Sequence, residues 1–360
     1  MATLLRFYTF SLVFTAICFA LGAWYGWVST GTVAGMLSLL WIVFVLSILE
    51  VSLSFDNAVV NATVLRDMDQ VWQRRFLTWG ILIAVFGMRI VFPIAIVAIA
   101  ANLGPLEAIN LSLNDPKQYE RIVSGAHIGI AGFGGAFLAM VGLTFFFDSD
   151  KDIHWIAGIE RAINRFSTIP AVEIGLVLTL IYAVSTLLAP SEALTFLTAG
   201  ILGLVTFIAV HALGALIEQS EARKRATGAV VRSGMGGFLY LEVLDASFSF
   251  DGVIGAFALS NNMIVIALGL SVGAMFVRSM TIHLVREGTL SQYRYLEHGA
   301  FWAIIALGVI MLISARWHIP ETFTGLIGAT LIGISLWWSI RHNRRAVSSD
   351  GMDAAATRPD

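Results

Sequence analysis

Apolar residues run along this chain in stretches of about 20, the length an α-helix needs to cross the hydrocarbon core of a bilayer, with short polar clusters between them. Ten such stretches can be laid out: 7–28, 33–61, 76–101, 124–147, 171–189, 193–217, 234–260, 262–285, 298–315 and 321–340. The pattern predicts an all-α polytopic membrane protein of about ten transmembrane helices. The first stretch is longer than the apolar run of a signal peptide and ends in Trp24 and Trp27, an interfacial belt, so it reads as a retained span. Two segments lie outside the spans. Within 148–170, Ile153, Ile156, Ile159, Ile163 and Phe166 recur at helical spacing, with Glu160, Arg161 and Arg165 elsewhere. That predicts an amphipathic helix lying on the cytoplasmic membrane surface. Residues 341–360 are polar and rich in small side chains, which predicts a disordered cytoplasmic tail.

Composition agrees with the pattern. Apolar residues make up 58% of the 360 and charged ones only 13%, against roughly 25% in soluble domains. The formal net charge of −2 provides no basic face for nucleic acid. The single cysteine, Cys18, excludes a disulfide framework and a thiolate metal cluster, and reads as packing in the first span. Charge distribution adds an orientation. With the N-terminus inside, seventeen of the 22 Lys and Arg residues fall in cytoplasmic segments, and only Lys117, Arg121 and Arg316 fall outside. Basic residues accumulate in cytoplasmic loops, so the layout predicts both termini cytoplasmic, in a cell (inner) membrane. The remaining two, Arg89 and Arg278, fall inside spans.

An internal repeat emerges when Ser54-Phe55-Asp56 is aligned with Ser249-Phe250-Asp251. Six residues before each aspartate stand Glu50 and Asp245. Further on, Gly80 and Arg89 are spaced as Gly269 and Arg278 are, and Gly125-Ala126 matches Gly299-Ala300. Four matches in one order predict a duplication, with halves at 1–170 and 171–340. The acidic spans are the second and the seventh of ten. An odd separation makes the copies antiparallel, the inverted-repeat plan that places a transporter's site near the midplane.

The acidic spans hold the candidate chemistry. Ser47, Glu50, Ser54, Asn57 and Asn61 share one helical stripe, and Glu242, Asp245, Ser249 and Gly252 share the corresponding one. Asp56 and Asp251 fall off those stripes, so either a second face is functional or the helix is locally unwound. A charge at mid-span costs roughly 2.5–3.5 kcal/mol. Glu50, Asp56, Glu242, Asp245, Asp251, Arg89 and Arg278 therefore have to face one another, water or an ion. Pairing the two arginines leaves three carboxylates in excess, which a divalent cation neutralises in one state and protons in another. The ligands available are hard oxygens: carboxylates, the Asn57 and Asn61 amides, the Ser54 and Ser249 hydroxyls in supporting positions, and any carbonyls that unwinding frees. They suit Mg²⁺, Ca²⁺ or Mn²⁺. The structural alternative is a set of buried ion pairs that lock helices together. His127 and His283, at span ends, either shuttle protons or are satisfied interfacial side chains. The glycine runs at Gly132–Ala136 and Gly234–Gly237 read as close-packing features.

These residues resemble a known family. Leu49-Glu50-Val51-Ser52-Leu53-Ser54-Phe55-Asp56-Asn57-Ala58 is similar to the first signature of the TerC integral membrane proteins, a glutamate followed by Ser-x-Asp-Asn. Glu242-Val243-Leu244-Asp245-Ala246-Ser247-Phe248-Ser249-Phe250-Asp251 is similar to the second. The resemblance covers roughly residues 41–340, and Tyr295-Leu296-Glu297-His298-Gly299-Ala300 resembles a branch carrying only a domain-of-unknown-function label. It implies handling of metal ions, chiefly manganese export, with a link to tellurium resistance. It also implies Glu50, Asp56, Asn57, Glu242, Asp245 and Asp251 as metal-site residues. Gly252 stands where family members often carry a polar group, a departure that bears on metal preference.

Three functions compete on this reading. The first is a transporter or exchanger of a divalent cation, manganese or calcium, with protons as a further partner. It is not an enzyme and keeps no permanently bound cofactor. The second is a membrane accessory that loads metal onto other proteins without flux. The third is an intramembrane aspartyl hydrolase built on two aspartates, against which stands the absence of a Gly-x-Gly-Asp pattern.

Overall fold

A computed structural model describes the chain except for residues 1, 81, 149–152, 168, 170, 227–233, 258, 318 and 357–360. Among the described residues every regular element is a helix. The elements that build the bundle are α1 (Ala2–Thr30), α2 (Val33–Leu53), α3 (Phe55–Arg66), α4 (Gln70–Ile99), α5 (Pro105–Asn114), α6 (Pro116–Gly125), α7 (His127–Phe146), α8 (Ala157–Asn164), α9 (Val172–Ser185), α10 (Pro190–Ala226), α11 (Met235–Phe257), α12 (Met263–Arg286), α13 (Leu296–Ser314) and α14 (Glu321–Ala356).

All ten expected spans fall on helices. Among the described residues, eight helices are long and apolar enough to cross a membrane: α1, α2, α4, α7, α10, α12, α13 and α14. The other two miss for different reasons. α9 has 14 residues, about 21 Å at 1.5 Å per residue, short of the ~30 Å hydrocarbon core. α11 has 23 residues but carries Glu242, Asp245 and Asp251.

Local chemistry explains the boundaries. Gly31 takes φ +63° between α1 and α2, a left-handed turn that glycine adopts without a steric cost. Thr32 then caps α2 by accepting from the Gly35 N–H at 3.1 Å. The Asn262 side chain accepts from the N–H groups of Ile264 and Val265 at 3.0 and 3.3 Å, which starts α12 at the break read from Asn261-Asn262. Pro190 opens α10, where its missing N–H costs nothing.

The helices sort into an inner and an outer set. Of their most apolar 18-residue windows, 72% is buried in α12, 61% in α7 and 56% in α13, against 17% in α1 and 22% in α2 and α14. The outer helices leave large apolar side chains such as Trp41, Leu194 and Leu326 facing outward, as a chain dissolved in lipid requires. Glycine sets the close crossing of α7 and α13. A Cβ on Gly135 would lie 2.9 Å from the Gly308 carbonyl oxygen, and one on Gly308 would lie 2.8 Å from the Ala139 nitrogen. Gly308→Leu is therefore expected to part α7 from α13 and to cost about 1–3 kcal/mol, read as a lower denaturation midpoint in detergent. An unchanged midpoint would mean that this crossing is not tight.

Two segments depart from the amphipathic pattern. In the linker, of which residues 149–152, 168 and 170 lie outside the described residues, the helix is only Ala157–Asn164. Glu160, expected on its polar face, is 2% exposed. It accepts from the Trp155 and Ile156 main-chain N–H groups at 2.9 and 3.1 Å and from the Trp302 indole at 3.0 Å. The linker is thus pinned to the start of α13. At the other end, α14 continues past Arg341 to Ala356, where the polar composition predicted disorder; Arg and Ala in this stretch are good helix formers.

Candidate functional site

The first acidic span is one helix line broken at Ser54. The last bond of α2 runs from Ser54 N–H to Glu50 O at 3.0 Å, and the first of α3 from Ala58 N–H to Ser54 O at 3.1 Å. Asp56 falls in the first turn of α3, where its Oδ1 accepts from the Asn57 N–H at 2.9 Å; a negative charge is favoured at that helix end. The second acidic helix, α11, is continuous from Met235 to Phe257. Local unwinding therefore belongs to the first copy alone.

Glycines on α12 bring α2 close. A Cβ on Gly269 would lie 2.5 Å from the Leu46 Cβ, and one on Gly273 would overlap the Glu50 side chain. Ser47 closes the contact by donating to the Gly269 carbonyl at 3.1 Å. The next α4 turns are wide, π-helical over Phe76–Gly80 and Ile83–Val91, a geometry frequent at functional sites. Arg89 projects from the second of these stretches.

Arg89 joins the two Ser-Phe-Asp segments. One guanidinium nitrogen pairs with Glu50 Oε1 and another donates to Ser249 Oγ. The Ser54 hydroxyl donates to the same Glu50 oxygen at 3.1 Å. Arg278 serves the second acid pair. It donates to Asp245 Oδ2 at 2.7 Å and to the Phe76 carbonyl at 3.2 Å, stands 3.8 Å from Glu242 Oε1, and lies over the Phe76 ring at 3.9 Å. Gly80 makes room, since a Cβ there would lie 2.5 Å from the Arg278 guanidinium and 2.7 Å from Glu242 Oε1. Asp245 Oδ1 accepts from the side-chain amides of Asn57 and Asn61, both at 2.9 Å. One carboxylate thus ties α3, α11 and α12 together.

This chamber leaves acceptors unused. Among the described residues, Asn57 Oδ1, Asn61 Oδ1 and both oxygens of Glu242 are buried without a hydrogen-bond partner, and so is the Arg89 Nε donor. Buried polar groups are ordinarily satisfied, and these oxygens are free to accept from water or to bind a cation, Glu242 Oε1 having Arg278 at 3.8 Å as well. In this arrangement, among the described residues, no three His, Cys, Asp or Glu side chains converge to hold a metal ion. The arginines divide the carboxylates between them.

Asp56 stands apart. It is 5% exposed, forms no ion pair among the described residues, and lines a different cavity from the one around Arg278. Asp251 lies on α11, but its side chain is outside the described residues. Gly252 seats the neighbouring acid, because a Cβ there would lie 2.8 Å from Glu50 Oε2. The histidines lie elsewhere. His127 Nε2 is 3.3 Å from the Ser314 hydroxyl, and the His283 ring lies 5.2 Å from that of Phe7. The buried group that the sequence pattern missed is Glu160, with His154 and His298 each 3.7 Å from its Oε2.

Residues 55–346 match a family model described as a protein of unknown function (DUF475). No curated protein and no solved structure matches the chain.

Proposed function

The chain belongs to the DUF475 family, and we propose that this membrane-spanning helical protein transports or exchanges a divalent metal cation, with manganese efflux as its role. The observation that carries this reading is the set of oxygens on Asn57, Asn61 and Glu242 that accept no hydrogen bond, buried beside Asp245 and Arg278. Amide and carboxylate oxygens are the donors that Mn²⁺, Ca²⁺ and Mg²⁺ accept. The resemblance of both signatures to TerC proteins favours manganese among them.

In this reading the guanidinium groups and the cation compete for the same carboxylates. A cation arriving at Asn57, Asn61, Asp245 and Glu242 displaces Arg278, and Glu50, Asp56 and Asp251 supply charge along the path. Reciprocal packing supports a repeat of two halves, which the odd separation of the acidic spans makes antiparallel. The arginine helix of each half lies against the acidic helix of the other: α4 on α11, and α12 on α2 and α3. The excess of Lys and Arg in the segments assigned to the inside supports both termini being cytoplasmic, with the cell (inner) membrane as the location in this reading.

Ion flux into proteoliposomes, scanned over Mn²⁺, Ca²⁺, Mg²⁺ and Zn²⁺ under an imposed pH gradient, tests the proposal. Wild type is expected to move Mn²⁺, and Asp56→Asn and Asp251→Asn are each expected to abolish that movement. Wild-type flux in both variants would defeat this site assignment. Saturable binding with no flux in any direction would instead favour the metal-loading accessory.

A further inference from the structure

Glu50 has a cavity on each side. On one side is the chamber that holds Arg89, Arg278 and Asp245. On the other is a second, narrow cavity, walled by Ser54 and Asp56 at the helix break, Ala303 of α13, and Thr324 and Gly328 of α14. Glu50, Ser54 and Phe248 line both, so together they form the partition between them.

The second cavity brings a buried carboxylate to the helix break. Asp56 is the acid that lacks a basic partner among the described residues, although it is 95% buried. Its Oδ1 is held by the Asn57 N–H, while Oδ2 looks across at α14, 3.6 Å from where a Cβ on Gly328 would stand. The break at Ser54 separates α2 from α3 just before Asp56. Broken helices of this kind supply cation ligands at transporter midplanes. A direction also follows. Gly299 packs on Ser335 and Ala303 lies near Gly328, so α13 and α14 are antiparallel. Thr324 therefore lies toward the turn that joins them, at the end of α14 opposite Arg341.

We infer that this cavity is the antechamber through which the cation passes between the arginine chamber and the membrane face bearing the α13–α14 turn, with Asp56 as its waiting carboxylate and Glu50 as the partition. The inference rests on the transport reading, but it is tested without flux.

With Cys18 replaced by alanine, Gly328→Cys carries the sole thiol of the chain, placed to share a thiophilic divalent ion with Asp56. Alkylation of the purified full-length protein by N-ethylmaleimide, followed by intact mass, reports protection by Cd²⁺. Cd²⁺ is expected to protect Gly328→Cys, and adding Asp56→Asn is expected to raise the half-protecting concentration about 10–100-fold. Leu326→Cys, on the outward face of the same helix at 65% exposure, is expected to gain no protection. Thr324→Cys takes the place of Gly328→Cys if that variant does not fold. A thiol that never reacts, equal protection at Leu326→Cys, or protection indifferent to Asp56→Asn overturns the antechamber. Protection that depends on Asp56 in a protein without flux keeps the cavity as a cation site and removes transport instead.

Discussion

Replacing Arg89 with methionine is expected to destabilise the protein in detergent by about 3–5 kcal/mol, the usual cost of removing one partner from a buried ion pair. Glu50 would be left 2% exposed with, among the described residues, the Ser54 hydroxyl as its remaining donor, and Ser249 would lose the Arg89 donor. Removing both charges avoids that cost, because a buried pair is often no more stable than well-packed apolar side chains of similar volume. The double variant Glu50→Met with Arg89→Met is therefore expected to recover most of the loss. Denaturation midpoints of wild type, both single variants and the double variant form the cycle that checks it. A single Arg89→Met variant as stable as wild type would show that the pair does not form. Recovery of stability is not recovery of function, since Glu50 also lines both cavities.

Asn57→Ala combined with Asn61→Ala is expected to weaken Mn²⁺ handling more than any change outside the carboxylates. Each substitution removes one unpartnered oxygen and one donor to Asp245. Loss of a supporting group around a bound metal lowers affinity about 10–100-fold, so the pair is expected to raise the half-saturating Mn²⁺ concentration by at least about 100-fold. A ligand that binds the folded state stabilises it, so Mn²⁺ is expected to raise the melting temperature of wild type and leave that of the variant unmoved. An identical Mn²⁺-induced rise in both proteins would show that the amide oxygens are not ligands. Asp245 keeps Arg278 in the variant, which separates loss of binding from collapse of the cluster.

Much of this was legible in the chain because bilayer thickness and charge cost act on local sequence. The long apolar runs mark the helices, and charges inside them mark Glu50, Asp56, Glu242, Asp245, Asp251, Arg89 and Arg278 as groups needing partners. The stripe Ser47, Glu50, Asn57 and Asn61 reads directly as the face toward α11 and α12. Partner identity was not legible, because Arg89 reaches Ser249 across 160 positions and Asn57 reaches Asp245 across 188. The break at Ser54 carries no glycine or proline to announce it. Its twin α11, with a similar Ser-Phe-Asp, does not break, so packing decides and not propensity. The π-helical turns around Arg89 are hidden for the same reason. Glu160 looked like an exposed charge on a surface helix because its burial depends on Trp302 and His298, which follow it by more than 130 residues.

Each buried pair joins charges carried by different helices, Glu50 on α2 with Arg89 on α4, and Asp245 on α11 with Arg278 on α12. While a pair is closed, the membrane voltage acts on two opposite charges at nearly one depth and does almost no net work on them. Once a pair opens, the same field pulls its two helices in opposite directions, at up to about 2.3 kcal/mol per charge for each 100 mV traversed. Parting these helices therefore also creates an electrical couple between them, and membrane potential becomes a force on the fold itself.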